Sequence, residues 1–195
     1  MDVFAIEWVP AIGLAVALSA TAGIRAWLPL LLAGLAMRAG WLEVGPSFAF
    51  LASTKALVVF AVATLLEVVA DKVPAVDHAL DALGTPLKLG AGALLAAAAF
   101  GTVTDPLTSA ALGVAVGAPT ALVPHAAKSL LRATSTALTG GLANPVISLL
   151  EDIVAFAFFM LAVLVPLVVA GLVLLVILFA LRRRTAPAPH APHPA

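Results

Sequence analysis

The stretch Glu67-Val-Val-Ala-Asp71-Lys72-Val-Pro74-Ala-Val-Asp77 places four charges at the end of a long apolar run. Glu67 and Asp71 stand four residues apart and share one helix face. Two carboxylates on one face near a membrane boundary suit a hard cation or a proton relay, because close acids in apolar surroundings tend to retain a proton. The alternative is an interfacial pair, Asp71 with Lys72, among lipid headgroups. Asp77, His78 and Asp81 follow Pro74, and Asp77 and Asp81 also share a face. Such a pair can hold Mg²⁺ against a lipid phosphate, as membrane-embedded phosphotransferases do. The fuller Gly- and Arg-containing motif of those enzymes is absent, and a solvated interfacial helix explains the pattern as well.

A second acidic pair, Glu151-Asp152, opens a later apolar run behind Thr139-Gly140-Gly141, Asn144-Pro145 and Ser148. Asn144 suits a helix N-cap, Pro145 its first position, and acids its first turns. Capping does not require two adjacent acids in a span, so one of them is expected to point inward. Arg25 lies far from either end of the first apolar run and needs a partner there. Glu67 fits if the first two runs form a hairpin, and Glu151 or Asp152 fits if two halves meet face to face. Arg25 then serves a structural or gating ion pair rather than direct anion contact. His125, after Pro124, faces the same cavity or is simply hydrogen-bonded at a helix end.

Composition bounds what these residues can do. Hydrophobic residues make up 63% of the chain and charged residues 10%, against about half and a quarter in soluble domains. This is the composition of an integral membrane protein. A net charge of zero excludes a basic nucleic-acid binder. The absence of cysteine excludes disulfides, thiolate clusters and a thiol nucleophile. The N-terminus, Met1 to Trp8, lacks a basic signal-peptide region, so the first apolar run is expected to be retained as a span.

Runs of roughly 20 apolar residues mark candidate spans. The first extends from Val9 to Met37, interrupted at Ser19-Ala-Thr-Ala-Gly23 and at Pro29, with Trp8 and Trp41 as flanking anchors. The second is Thr54 to Ala70, then a short amphipathic helix from Pro74 to Thr85, then a third run from Leu87 to Val103. Asp105-Pro106 makes a turn. The fourth run, Leu107 to Val123, is broken by Gly117, Pro119 and Pro124, and a polar stretch from His125 to Asn144 follows. The last run, Pro145 to Leu181, would be about 55 Å long as one helix, nearly twice the hydrocarbon thickness. Splitting it near Val165-Pro166 gives about six spans. With the N-terminus inside, the inner loops hold Lys72, Lys88, Lys128, Arg132 and Arg182 to Arg184, and the outer loops hold Arg38 and Lys55. That asymmetry favours six spans over five. The Pro/Ala-rich tail at 185–195 is expected to be disordered, and its His190 and His193 are read as solvated.

Gly13 to Gly23 aligns with Ala111 to Ala121, and each segment is followed by an acidic span and a plain one. Three spans per half would place the halves, about 9–104 and 107–182, in opposite orientations. Inverted repeats with discontinuous helices are typical of small transporters, with sites at the breaks.

Ser19-Ala-Thr-Ala-Gly23-Ile-Arg25, the stretch Glu67 to His78, and Thr139-Gly140-Gly141-Leu-Ala-Asn144-Pro145 with Glu151-Asp152 resemble the bacterial membrane proteins of domain-of-unknown-function family 4126. The resemblance covers nearly all of the chain except its tail. It implies an integral membrane protein and no particular activity.

The sequence therefore predicts an all-α polytopic membrane protein. It forms one transmembrane domain over 1–184, built as a 3+3 inverted repeat with broken helices. The expected setting is a bacterial inner membrane, with both termini cytoplasmic and a homodimer as the assembly. The expected function is a small transporter or channel for a cation or a proton-coupled solute, not an enzyme. Arg25, Glu67, Asp71, Glu151 and Asp152 line its path, and Asp77, His78, Asp81, His125 and Asn144 are secondary candidates. No cofactor is expected beyond a divalent cation at the acids. The alternatives are a metal-dependent enzyme on a lipid phosphate, using Asp77 and Asp81, and a non-catalytic assembly protein.

Overall fold

The computed structural model describes the backbone of residues 3–70 and 74–184, and the side chains of 7–70, 84–165 and 175. The side chains of Asp71, Asp77, His78 and Asp81, and the whole tail from 185, lie outside the described residues. Among the described residues the protein is all-helical. The helices are α1 (Val3–Ile24), α2 (Trp27–Arg38), α3 (Thr54–Ala70), α4 (Pro74–Phe100), α5 (Pro106–Leu112), α6 (Ala118–Thr139) and α7 (Asn144–Arg184). A 3₁₀ segment, Pro46–Ala52, precedes α3, and a π turn, Gly113–Gly117, joins α5 to α6. Contacts group the chain into two units, Met1–Val163 and Leu164–Ala195. The first contains all the charged groups discussed below.

Among the described residues three helical stretches are long and apolar enough to cross a membrane: Glu7–Ile24, Pro106–Thr139 and Asn144–Val165. The 3₁₀ segment with α3, bent by 58°, makes a fourth if counted as one span. The expected count of six rests on a split at Val165-Pro166, and α7 has no turn there. The expected short helix ending at Thr85 is likewise the start of α4, which continues through Pro86. Proline removes one backbone bond, and apolar helical bundles absorb that loss more readily than an open turn. The first break falls at Arg25-Ala26, not at Ser19–Gly23, which is helical. Pro29 sits in the first turn of α2, where its missing N–H removes nothing. The segment expected as a polar loop, His125 to Asn144, is helical as far as Thr139. It ends at left-handed Gly140 (φ 62°), whose N–H bonds Thr136 O at 2.9 Å. Asp105-Pro106 acts as expected. Asp105 caps α5 by accepting from the N–H groups of Leu107 and Thr108. Hydrogen bonds from the Thr108 side chain and its N–H hold the exposed Asp105 carboxyl below its ordinary range.

α1 packs chiefly on α4 and α6. The seams are lined by alanine and glycine, the residues that let helices approach closely when apolar surroundings supply no hydrophobic drive. Ala15, Leu18 and Ala22 of α1 and Leu95 to Ala99 of α4 are buried, and Ser19 Oγ donates to Gly92 O at 2.8 Å. A Cβ on Gly23 would meet the Ala121 carbonyl and come within 2.5 Å of Pro124 Cγ. One on Gly117 would come within 2.7 Å of Ala96 Cβ and 2.9 Å of Ala93 Cα. The aligned positions Gly23 and Ala121 thus touch. Gly23→Ala should therefore lower stability by about 1–3 kcal/mol through overpacking. Gly13→Ala, whose Cβ would meet nothing within 4 Å, should change it favourably or within about 1 kcal/mol. Unfolding of the purified variants in detergent reads both.

Candidate functional site

The stripe of α6 that faces the protein is polar. Ala121, His125, Lys128, Arg132 and Ser135 recur at three- and four-residue spacing and are buried. Lys128 and Arg132 are 6% and 3% exposed, whereas Val123, Leu130 and Leu138 are 71%, 70% and 81% exposed. A water-soluble amphipathic helix has the reverse pattern. A helix with its charges inward and its leucines outward suits hydrocarbon. Lys88, Lys128 and Arg132 are expected from sequence to be cations of inner loops. All three are buried inside the protein, which removes much of the charge asymmetry that favoured six spans.

The inward charges meet their partners on α7 and at the break between α1 and α2. Arg132 grips Glu151 with both ends of its fork, Nε to Oε1 at 3.1 Å and Nη2 to Oε2 at 2.8 Å. Lys128 Nζ lies 3.0 Å from the same Oε2. It also reaches Ile24 O at 3.4 Å, the carbonyl that ends α1. Arg25, fully buried, sits in the break itself. Its Nε lies 2.7 Å from Asp152 Oδ1, a charge contact rather than an aligned hydrogen bond. Its Nη2 donates to Ser148 Oγ at 2.9 Å and to Ser148 O at 3.3 Å.

The other side of the break belongs to α3. Ala26 begins α2 with no side-chain cap of its own. Glu67 supplies one from a distant part of the chain. Its Oε1 accepts from Ala26 N at 3.1 Å and its Oε2 from Trp27 N at 3.3 Å. The partial negative end of α1 thus faces a lysine, and the partial positive end of α2 faces a glutamate, the pairing that helix dipoles favour.

His125 extends the cluster toward α4. Its Nε2 lies 2.8 Å from Thr85 Oγ1 and its Nδ1 lies 3.3 Å from Lys88 Nζ. With Lys88 as an ammonium, which only donates, Nδ1 accepts from it and Nε2–H donates to Thr85 Oγ1. Asn144 is buried at the start of α7. Its Nδ2 donates to Thr136 Oγ1 at 3.0 Å, so it ties α7 to α6. Its Oδ1, like the buried Ser135 Oγ, has no hydrogen-bond partner among the described residues.

Of the residues predicted from sequence, Arg25, Glu67, Glu151 and Asp152 therefore gather around one helix break, with His125 beside them. The arginine's acidic partner is Asp152, on the later of the two helices considered. Asp71, Asp77, His78 and Asp81 lie outside the described side chains, and with them the proposed Mg²⁺ pair. Among the described residues no three His, Asp or Glu side chains gather as metal ligands. Lys88, Lys128, Arg132 and Thr85 join the cluster as well, although none of them was expected there from sequence. The three- and four-residue spacing of His125, Lys128, Arg132 and Ser135 was the signal for the α6 members.

The apolar helices and the inward-facing charges together mark a membrane-type helical protein. Within that class, the chain belongs to the family described as Domain of unknown function (DUF4126), which it matches over residues 12–185. Comparison with curated proteins and with solved structures finds no match.

Glu151→Gln removes the carboxylate shared by two buried cations and should cost about 3–5 kcal/mol. A double-mutant cycle with Arg132→Met, read by unfolding in detergent, should show strong coupling between the two positions.

Proposed function

We propose that the protein is a small multi-pass membrane transporter, moving protons or a proton-coupled solute past the α1–α2 break. One observation carries this reading: an interrupted helix inside an apolar bundle, with both of its ends met by charges from other helices. Discontinuous helices of this kind hold substrates and coupling ions in many transporters. Buried ionisable groups inside apolar helices are functional by default. The acids are already engaged, Glu151 and Asp152 by cations and Glu67 by backbone N–H groups. That favours protonation and exchange of partners over a standing site for a metal cation. The buried Asn144 Oδ1 and Ser135 Oγ, which lack partners among the described residues, offer hydrogen bonds to a passing solute or water. Placement in an inner membrane with both termini cytoplasmic, an inverted-repeat design, assembly as a homodimer and a carrier rather than enzymatic role belong to the same proposal.

Proteoliposomes with an entrapped pH-sensitive dye, driven by a potassium gradient and valinomycin, test it. The wild-type protein should let protons cross in response to the imposed potential, which the entrapped dye reads as a pH change. Glu67→Gln and Asp152→Asn should slow that by roughly tenfold or more, the order expected when a proton-carrying group is lost. A dye response equal to that of protein-free liposomes would overturn the reading of the break as a proton path.

A further inference from the structure

A cavity of about 240 Å³ lies where α2, α3 and α4 meet. Its floor includes Ala26, Leu30 and Phe60, all buried, and its rim includes Pro86, Leu87 and Gly90 of α4, all exposed. The α2–α3 hairpin packs on itself far more than on α4, so the cavity is the gap left where the hairpin meets the bundle.

The volume would hold several waters at about 30 Å³ each, but water needs two to four polar partners. The lining is almost wholly apolar. The N–H groups of Ala26 and Trp27 on its wall are taken by Glu67. A helix, about 10 Å across, is too wide to enter. The space is smaller than the roughly 300 Å³ where drug-sized pockets begin. A flexible hydrocarbon chain fits these limits, and an apolar, half-open cavity in a bilayer is bathed in such chains.

We propose that this cavity is a binding site for an acyl chain of a membrane lipid, wedged between the α2–α3 hairpin and α4. Gly90 is the one glycine in its lining. A Cβ at Gly90 would meet nothing within 4 Å, so a side chain can start from this position, and a larger one there would take up room beside the cavity. The chain seats directly beside Trp27, which lines the cavity and packs against Phe60 with ring centroids 6.3 Å apart. The site rests on the membrane placement proposed above and is independent of transport.

Trp27 is also the reporter. The chain has three tryptophans, so Trp8→Phe with Trp41→Phe leaves Trp27 as the only fluorophore of its kind. The full-length protein is reconstituted in phosphatidylcholine vesicles whose acyl chains carry bromine, a contact quencher, and in unbrominated vesicles. Trp27 emission should be strongly quenched in the brominated vesicles. Gly90→Leu should abolish most of that quenching, and Gly90→Ala part of it. Gly13→Leu, equally free of clashes but on α1, should leave it unchanged. Circular dichroism checks that each variant keeps its helical content, and the alanine variant carries the test if the leucine variant does not. Quenching that stays constant across the Gly90 series overturns the acyl-chain site and leaves the membrane placement standing. Absence of quenching of all three tryptophans in the otherwise native chain overturns the membrane placement, and the site with it.

Discussion

Charge that enters an apolar helical interior has to be met there, because neither lipid chains nor close-packed alanines can solvate it. Arg25 makes that constraint acute. It is fully buried and stands where one helix stops and another starts. Asp152 and Ser148 meet its guanidinium, Lys128 meets the carbonyl end of α1, and Glu67 meets the amide end of α2. Five helices, α1, α2, α3, α6 and α7, are thereby tied together at the break by groups that none of them could hold alone. Breaking a helix in hydrocarbon exposes backbone groups that cost several kcal/mol each if left unmet. The break is therefore tolerated because α3, α6 and α7 satisfy it.

Close packing makes the network reachable. Arg132 and Lys128 touch Glu151, and Lys128 touches Ile24 O, only because α6 lies against α1 at Gly23 and Ala121. The π turn at Gly113–Gly117 lies against Gly92, Ala93, Ala96 and Ala97 of α4. An insertion of this kind shifts the register of the helix that follows it, and here it precedes the polar stripe of α6. Small residues thus set the distances, and charges use them.

Much of this was legible in the sequence. The all-helical, membrane-type class followed from composition, and Asp105-Pro106 as a helix start followed from capping chemistry. The need of Arg25 for an acidic partner followed from its depth in an apolar run. Other features were not readable locally. Glu67 caps a helix that begins 41 residues earlier, and no local pattern announces a cap supplied from so far away. Pro86 and Pro166 read as breaks because proline usually ends helices in water, yet α4 and α7 run through them. Lys128 and Arg132 read as loop cations because charge normally seeks solvent. Their spacing with His125 and Ser135 carried the opposite message, since a stripe on one face points inward as readily as outward. The orientation becomes clear only once the leucines on the other face are seen to be exposed.

That orientation is the central claim, and site-directed spin labelling measures it directly. The chain has no cysteine, so single cysteines can carry nitroxides along 118–139 in reconstituted liposomes. Collisions with oxygen, which concentrates in hydrocarbon, should peak at positions 123, 130 and 138 and fall at 121 and 135, with the period of a helix. Peaks at 121 and 135 with minima at 123, 130 and 138, or high accessibility of the leucine face to a water-soluble relaxant, would contradict a charged face turned inward and an apolar face turned to lipid.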